Sequence, residues 1–221
     1  MSNYLFRKAT INDIPFLAKI IIEAEKSNSD KLSYSTLCNL SEETVERLII
    51  NMFKEEVDKC EFSVSSFLVV ESNGQLVGGF GGWIESFGDE LPSKILKSNL
   101  IVFTFSRESM AFLNTKSHII KDILIEREPM TLQLEYLFVS KEHRGRKITD
   151  HLIEQHIKNA LTELPHLKKI QVQVFKNNLG AIKAYENNGF KITKSFKSNE
   201  IEILNYLPFG EKYLMEKIII N

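Results

Sequence analysis

The sequence is poor in the features that mark metal-binding, secreted and membrane proteins. Its 221 residues include two cysteines, Cys38 and Cys60, which form neither a metal-ligand spacing nor a C-x-x-C pair. No stretch approaches the roughly 20 apolar residues of a membrane span. The first residues also lack the apolar core of a signal peptide. The two cysteines could form a disulfide, but reduced thiols in a cytoplasmic protein without a metal site are the simpler interpretation.

The chain also lacks an excess of charge of either sign. Its formal net charge is −1, whereas general binders of nucleic acid or of anionic membranes usually carry a basic excess. We therefore expect neither nucleic acid nor membrane as a partner. With 43% hydrophobic and 26% charged residues, the composition is typical of a globular protein. The length favours one domain spanning residues 1–221.

What the chain does contain is a succession of predicted strands and helices. Strands are expected at residues 4–9, 67–71, 76–85, 131–139, 170–175, 190–196 and 212–220. Helices are expected at residues 10–26, 41–53, 144–164 and 179–188. The pair Asn73-Gly74 predicts a two-residue hairpin turn between the second and third strands. Residues 27–40 read as a polar loop, and residues 86–130 as a partly helical insertion before the fourth strand.

Four glycines fall within the predicted third strand, which is unusual for a strand interior. They are Gly78, Gly79, Gly81 and Gly82. This pattern predicts a bulge, or a close approach by another backbone or a ligand. A weakly packed strand would show the same pattern.

A basic turn joins the predicted fourth strand to the helix that follows it. Arg144, Gly145 and Arg146 lie at this junction. The first backbone N–H groups of a helix lack internal acceptors, and together with the positive end of the helix dipole they favour an anion. A pyrophosphate fits such a place, and Gly145 would let its oxygens approach the backbone. A plain solvated turn has the same pattern, and the glycines of a P-loop or of a dinucleotide fingerprint are missing.

Two segments resemble motifs of the GNAT superfamily of N-acetyltransferases. Residues 144–149, preceded by a strand that ends at Val139, are similar to the acetyl-CoA-binding pattern Q/R-x-x-G-x-G/A. Residues 178–190 resemble the pattern N-x-x-A-I/V-x-x-Y-x-x-x-G-F. Both motifs in this order are far more specific than either alone, and the match covers residues 131–196. The resemblance implies an α+β fold with a mixed, mostly antiparallel central sheet flanked by helices.

The resemblance also implies an acetyl-CoA site, with one departure from the family pattern. Lys147 and Thr149 occupy the two glycine-type positions. Backbone donors do not depend on side-chain identity, but a Cβ at both positions crowds the approach of the cofactor. The backbone N–H groups of Leu137 and Val139 would hold the acetyl carbonyl and the pantetheine arm. The implied cofactor-binding residues are Leu137, Phe138, Val139, Arg144, Gly145, Arg146, Lys147, Ile148, Thr149, Asn178, Ala181 and Tyr185.

The implied reaction is direct attack of a primary amine on acetyl-CoA through a tetrahedral intermediate, which benefits from an acid and needs a base. Tyr185 matches the tyrosine of the second motif, and a phenol of pKa about 10 can protonate a thiolate of similar basicity. It could equally be a packed core aromatic. Glu135 is the candidate base. Strand alternation groups it with Gln133, Leu137 and Val139, opposite an apolar face, and its position near the end of the strand resembles the one where several family members keep a base. An exposed strand carboxylate would show the same pattern.

Two functions therefore stay open. An N-acetyltransferase would act on a small-molecule amine or on a protein amino group, as a monomer or a homodimer. A non-catalytic acyl-CoA-binding module of the same fold is the alternative, and Lys147 and Thr149 favour it. The resemblance implies that residues 27–40 and 86–130 build the acceptor side, where the sequence is least informative.

Overall fold

The computed structural model describes residues 4–219, which form a seven-stranded sheet flanked by helices. The strands are β1 (Tyr4–Lys8), β2 (Phe67–Ser72), β3 (Gln75–Ile84), β4 (Leu132–Val139), β5 (Lys169–Phe175), β6 (Lys191–Lys197) and β7 (Glu211–Ile218). The helices are α1 (Ile14–Lys26), α2 (Ser33–Cys38), α3 (Glu42–Lys54), α4 (Ser93–Thr104), α5 (Arg107–Ile120), α6 (Ile148–Glu163), α7 (Leu179–Asn187) and α8 (Ile203–Tyr206). The strand order is β1-β2-β3-β4-β5-β7-β6. Neighbouring strands are antiparallel except β4 and β5, which are parallel.

This arrangement confirms the predicted α+β class and the mostly antiparallel sheet. The insertion before β4 is helical, since it contains α4 and α5. The sequence reading missed α2 within the predicted loop 27–40 and the single turn of α8. The predicted end of the last strand, Ile220, lies outside the described residues. Within residues 4–219, no helix combines the length and the hydropathy that crossing a bilayer requires.

Local sequence signals explain several of these boundaries. The Oγ of Ser41 accepts a hydrogen bond from the backbone N–H of Thr44 at 3.2 Å and so caps α3. Asn73 and Gly74 have φ values of 52° and 75°, as the predicted hairpin turn requires. Interactions within a few residues of the chain therefore fix the start of α3 and the end of β2.

The two faces of the sheet carry separate hydrophobic clusters. α1 packs on β3 and β4 and against α3, whereas α6 packs on the other face of the same strands. Successive residues of β2 alternate between the two clusters, as a strand buried on both faces must. A third, smaller cluster joins α5 to α2 and α8, so the insertion is packed onto the body of the protein.

β4 does not alternate in the way that was predicted. Gly81 of β3 faces Glu135 and Gly79 faces Phe138, so two steps along β3 match three along β4, and Tyr136 has a φ of 63°. This is a β-bulge, which moves the following side chains to the opposite faces. Beyond the bulge, Leu137 packs with the α6-side cluster and Phe138 with the α1-side cluster. The predicted grouping of Glu135 with Leu137 and Val139 is therefore wrong.

The four glycines of β3 are explained by close approach. An added Cβ would come within 2.9 Å of the Phe138 oxygen at Gly78, 2.6 Å of Ile20 Cδ1 at Gly79, 2.8 Å of the Glu135 oxygen at Gly81 and 2.6 Å of His156 Nδ1 at Gly82. Neighbouring backbone and side chains therefore occupy the space that larger residues would need. The alternative of a weakly packed strand is wrong.

Candidate functional site

A cleft of about 590 Å³ opens beside β4 where that strand separates from β5. The two strands are paired only from Leu132 to Leu134, because the bulge at Tyr136 turns the rest of β4 away. The last part of β4, the end of α1 and the start of α7 form the walls of this cleft, which we call the cofactor cleft.

One end of the cofactor cleft is the turn that precedes α6. Gly145 and Lys147 have φ values of 74° and 59°, which are incompatible with a right-handed helix. The helix predicted from Arg144 therefore begins only at Ile148. Its N-terminus lines the cleft beside Arg144 and Lys147. Lys26 also lines the cleft, but its side chain pairs with Glu42 at 2.7 Å. This end of the cleft suits an anionic group, as its sequence predicted.

The structure brings together most of the predicted cofactor-binding residues. Tyr185 lines an adjoining cavity, and Arg146 is exposed on the turn outside the lining. Asn178 accepts hydrogen bonds from Ala181 N at 3.2 Å and from Asn28 Nδ2 at 2.9 Å, so it caps α7 and ties it to the end of α1. The predicted residues that line the cleft are Leu137, Phe138, Val139, Arg144, Gly145, Lys147, Ile148, Thr149, Asn178 and Ala181.

A smaller cavity of about 100 Å³ adjoins the cofactor cleft, and we call it the acceptor cavity. The two share the lining residues Ala24, Leu137, Asn178 and Ala181, so they lie side by side. The acceptor cavity contains both predicted catalytic residues. Its ionisable lining residues are Glu25, Glu135, Tyr136, Tyr185 and Lys212.

Tyr185 is both a packed aromatic and a cavity residue. It is 5% exposed, and its ring centroid lies 6.3 Å from that of Phe80 and 5.7 Å from that of Phe190. Burial raises the pKa of the Tyr185 phenol, and the negative charge of Glu135 raises it further. Tyr185 therefore remains protonated at neutral pH, as a proton donor must.

Glu135 is not the exposed carboxylate that was considered as an alternative, because an arginine of the insertion holds it. Arg127 Nη2 donates to Glu135 Oε1 at 2.7 Å and to Oε2 at 2.8 Å. The Glu135 side chain is 11% exposed. Arg127 also donates to Glu61 Oε1 at 2.9 Å and stacks over the Trp83 ring at 5.1 Å. The insertion thus supplies the charge partner of the candidate base.

Further buried charges support this pair. Lys97 of α4 lies 3.0 Å from Glu61 Oε1, and Glu61 is fully buried. Burial opposes ionisation of Glu61, but the cations of Arg127 and Lys97 outweigh it and lower its pKa to about 2. Glu85 accepts hydrogen bonds from Ser93 N at 2.9 Å and from Trp83 Nε1 at 3.0 Å. Charged contacts therefore tie the insertion to β3 and β4.

Sequence reasoning missed Glu25, Arg127 and Lys212. The Tyr136 hydroxyl donates to Glu25 Oε1 at 3.3 Å. None of these residues stands out in the sequence, because each is a common surface residue type at an ordinary helix, loop or strand position. Cys38 and Cys60 are buried and unbonded, so the alternative of a disulfide between them is wrong.

Comparisons with known proteins agree with this geometry. Residues 37–190 match the model of the acetyltransferase (GNAT) family. No match was found among curated proteins. An N-acetyltransferase from Staphylococcus aureus Mu50 is 15% identical, with a TM-score of 0.64 and coverage of 96% of this chain and 100% of that chain.

Two further solved structures share the fold. An aminoglycoside acetyltransferase in complex with coenzyme A is 15% identical, with a TM-score of 0.50 and coverage of 98% of this chain and 95% of that chain. A spermidine N-acetyltransferase chimera from Vibrio cholerae is 14% identical, with a TM-score of 0.52 and coverage of 98% and 96%. At these identities the structures are evidence for the fold alone.

Proposed function

Because this chain belongs to the acetyltransferase (GNAT) family and is therefore an acyltransferase, we propose that it transfers the acetyl group of acetyl-CoA to a primary amine. The observation that carries this proposal is that the cofactor cleft and the acceptor cavity lie side by side and share four lining residues. The N-terminus of α6, with Arg144 and Lys147 beside it, lines the cofactor cleft, and Tyr185 and two carboxylates line the acceptor cavity. A thioester bound along the cleft would meet an acceptor amine at the junction of the two cavities.

The cofactor cleft has features that fit coenzyme A. The start of α6, with Arg144 and Lys147 beside it, suits a diphosphate. The end of β4 has no partner strand on the β5 side among the described residues, so its backbone is open to amide groups of a pantetheine arm. When bound, acetyl-CoA would supply an activated acetyl group, which the amine would attack directly through a tetrahedral intermediate.

The proton transfers are assigned to groups of the acceptor cavity. Tyr185, held protonated by burial, donates to the departing sulfur. Glu135 is the proposed base that removes a proton from the acceptor ammonium, and Arg127 holds it in position. Glu25 is a second carboxylate in the same cavity, with the Tyr136 hydroxyl as its donor. The experiment that tests the base must therefore compare variants of Glu135 and Glu25.

The acceptor is proposed to be a primary amine of a small molecule or of a protein, reached through the acceptor cavity. The free, buried thiols of Cys38 and Cys60 fit a reducing cytoplasm. One domain spanning residues 1–221, as a monomer or homodimer, is part of the same proposal. Its mass in solution would distinguish the two oligomeric states.

The direct experiment measures release of the coenzyme A thiol with a panel of primary amines. Wild-type protein should turn over at least one amine. Tyr185→Phe should lower turnover by roughly 10² to 10⁴-fold, the range that acid–base groups contribute. Glu135→Gln should lower it similarly, with Glu25→Gln as the matched carboxylate variant. If only Glu25→Gln removes activity, Glu135 is not the base.

The alternative is a module that binds an acyl-CoA without turnover. The observation that favours it is Lys147, which stands at a glycine-type position with a φ of 59°. Tight binding of acetyl-CoA in calorimetry, with no thiol released by any amine, would support the module over the enzyme. A thermal shift that stays absent in millimolar acetyl-CoA would count against both functions.

A further inference from the structure

An amine of the chain itself lines the acceptor cavity. Lys212 lies near the start of β7, and its Nζ is 4.4 Å from the centroid of the Phe175 ring. Lys212 and Phe175 line the acceptor cavity together with Tyr185 and Glu135. No other lysine lines this cavity within the described part of the chain. Lys212 therefore lines the space assigned to the acceptor, and its side-chain nitrogen lies over the ring of another lining residue, Phe175.

Among the described residues, no carboxylate forms an ion pair with Lys212. Of the two carboxylates in the cavity, Glu135 is engaged by Arg127 and Glu25 by the Tyr136 hydroxyl. Lys212 forms no ion pair with any residue between 4 and 219, whereas Lys176 nearby pairs with Glu211 at 2.9 Å. Apart from the cation–π contact with the Phe175 ring, nothing in the described structure therefore holds the Lys212 ammonium in its charged form by direct contact.

The surroundings favour the neutral, nucleophilic form of this amine. Burial lowers the pKa of Lys212, and the positive charges of Lys97 and Arg127 lower it further. The negative charges of Glu25 and Glu135 act in the opposite direction without reversing the shift. A lowered pKa increases the fraction of the neutral amine, which can attack a thioester as an ammonium cannot.

We propose that Lys212 is a self-acetylation site, which takes the acetyl group of bound acetyl-CoA when no external amine is present. The inference rests on the proposed function. The Nζ attacks the carbonyl carbon, an N–C bond forms and the C–S bond breaks. The nitrogen loses one proton and the departing sulfur gains one, so the products are Nε-acetyl-Lys212 and the coenzyme A thiol. No oxidant or other reactant is needed.

This modification would close the acceptor cavity. Acetylation removes the positive charge of Lys212 and adds an acetyl group to a space of about 100 Å³. An external amine would then have less room beside Tyr185. We therefore expect the protein to lose transferase activity progressively when it is kept with acetyl-CoA in the absence of an acceptor.

The experiment incubates the full-length protein with acetyl-CoA alone and follows acetylation by intact mass and peptide mapping. Lys176 is the matched internal control, because it lies next to Phe175 but outside the cavity. Lys212 should be acetylated roughly tenfold or more faster than Lys176, since the bound thioester has a high effective concentration. The rate per molecule should not depend on protein concentration. Lys212→Arg should lose this site, and Lys176→Arg should retain it.

Three results would overturn the inference. Equal rates at Lys212 and Lys176 would indicate reaction with free acetyl-CoA in solution. If Lys212 stays unmodified during incubation with acetyl-CoA alone, while the same protein turns over an external amine when one is added, the inference fails and the proposed function stands. Absence of acetyl-CoA binding would remove both. The peptide map of the wild-type protein decides the matter even if Lys212→Arg does not fold.

Discussion

The cofactor cleft and the acceptor cavity share four lining residues, but they are built in different ways. The anion end of the cleft is a continuous, mostly exposed segment, residues 144–149, shaped by two left-handed backbone conformations and the start of α6. The charges of the acceptor cavity come from α1, β4 and β7, with Arg127 reaching in from the insertion. Most of those charged groups are at least partly buried and depend on one another.

The difference affects how each region responds to substitution. A site made of backbone donors tolerates changes of side chain, which is why Lys147 can stand at a glycine-type position. A buried ion-pair network does not tolerate such changes, because removing one charged side chain leaves its partners charged and unpaired in a medium of low dielectric. The following predictions test this contrast, starting from the largest expected effect.

Arg127→Met should be the most damaging of these changes. It leaves Glu61 and Glu135 without their shared cation, and breaking a buried pair typically costs about 3–5 kcal/mol. The free energy of unfolding in urea measures the effect. Lys94→Ala is the control, because the Lys94–Glu126 pair is exposed and should contribute little. If both variants lose equally little stability, the acceptor cavity does not depend on its buried charges.

The second prediction concerns how the free energy of unfolding depends on pH through His156 of α6. His156 is buried, its Nε2–H donates to the Phe80 oxygen at 2.9 Å, and burial lowers its pKa to about 4. Since the unfolded histidine titrates near 6.5, the unfolded state binds the proton more tightly, and folding is favoured above that pH.

Stability contributed by His156 should therefore be complete above about pH 6.5 and decrease as pH falls towards 4. The decrease should reach about 3 kcal/mol at most, because one pKa unit corresponds to about 1.4 kcal/mol. Urea unfolding between pH 4 and 7 measures it. His156→Gln should remove most of this slope, and a slope that survives the substitution would assign it to other groups.

Gly82→Ala tests the packing of β3, the strand that pairs with β4. Its Cβ would lie 2.6 Å from His156 Nδ1 and 2.8 Å from Leu134 Cδ2. Overpacking of this kind costs about 1–3 kcal/mol. Gly180→Ala is the matched control, because nothing lies within 4 Å of its added Cβ. Equal melting temperatures for the two variants would mean that β3 has room for larger residues.

Lys147→Gly should have the smallest effect. A residue with a Cβ at a φ of 59° costs roughly 1–2 kcal/mol, and the greater freedom of glycine in the unfolded chain offsets part of that gain. We expect unchanged or slightly higher stability and retained binding of coenzyme A. Gly145→Ala is the opposing control, since it introduces a Cβ at a φ of 74° and should destabilise the turn. Loss of coenzyme A binding in Lys147→Gly would show that the side chain, not the backbone, holds the anion.

The predictable part of the molecule is the part whose signals are local. The Ser41 cap, the Asn73-Gly74 turn and the two motifs around Arg144 and Asn178 each depend on residues close together in the chain. The start of α6 was placed four residues too early, because positive φ at Lys147 is a property of this fold and not of lysine. The faces of β4 were assigned wrongly because a bulge is set by pairing with β3.

By itself the sequence predicted the order of most elements, since periodicity and caps act over a few residues. The resemblance of its two contiguous motifs to those of the GNAT family implied the fold class and the residues of the cofactor site. Only the tertiary structure decided which side chains meet in the acceptor cavity. Glu25, Glu135 and Lys212 come together there from three distant segments, and Arg127 of the insertion holds Glu135. Their interaction depends on burial and distance, which have no signature along the chain.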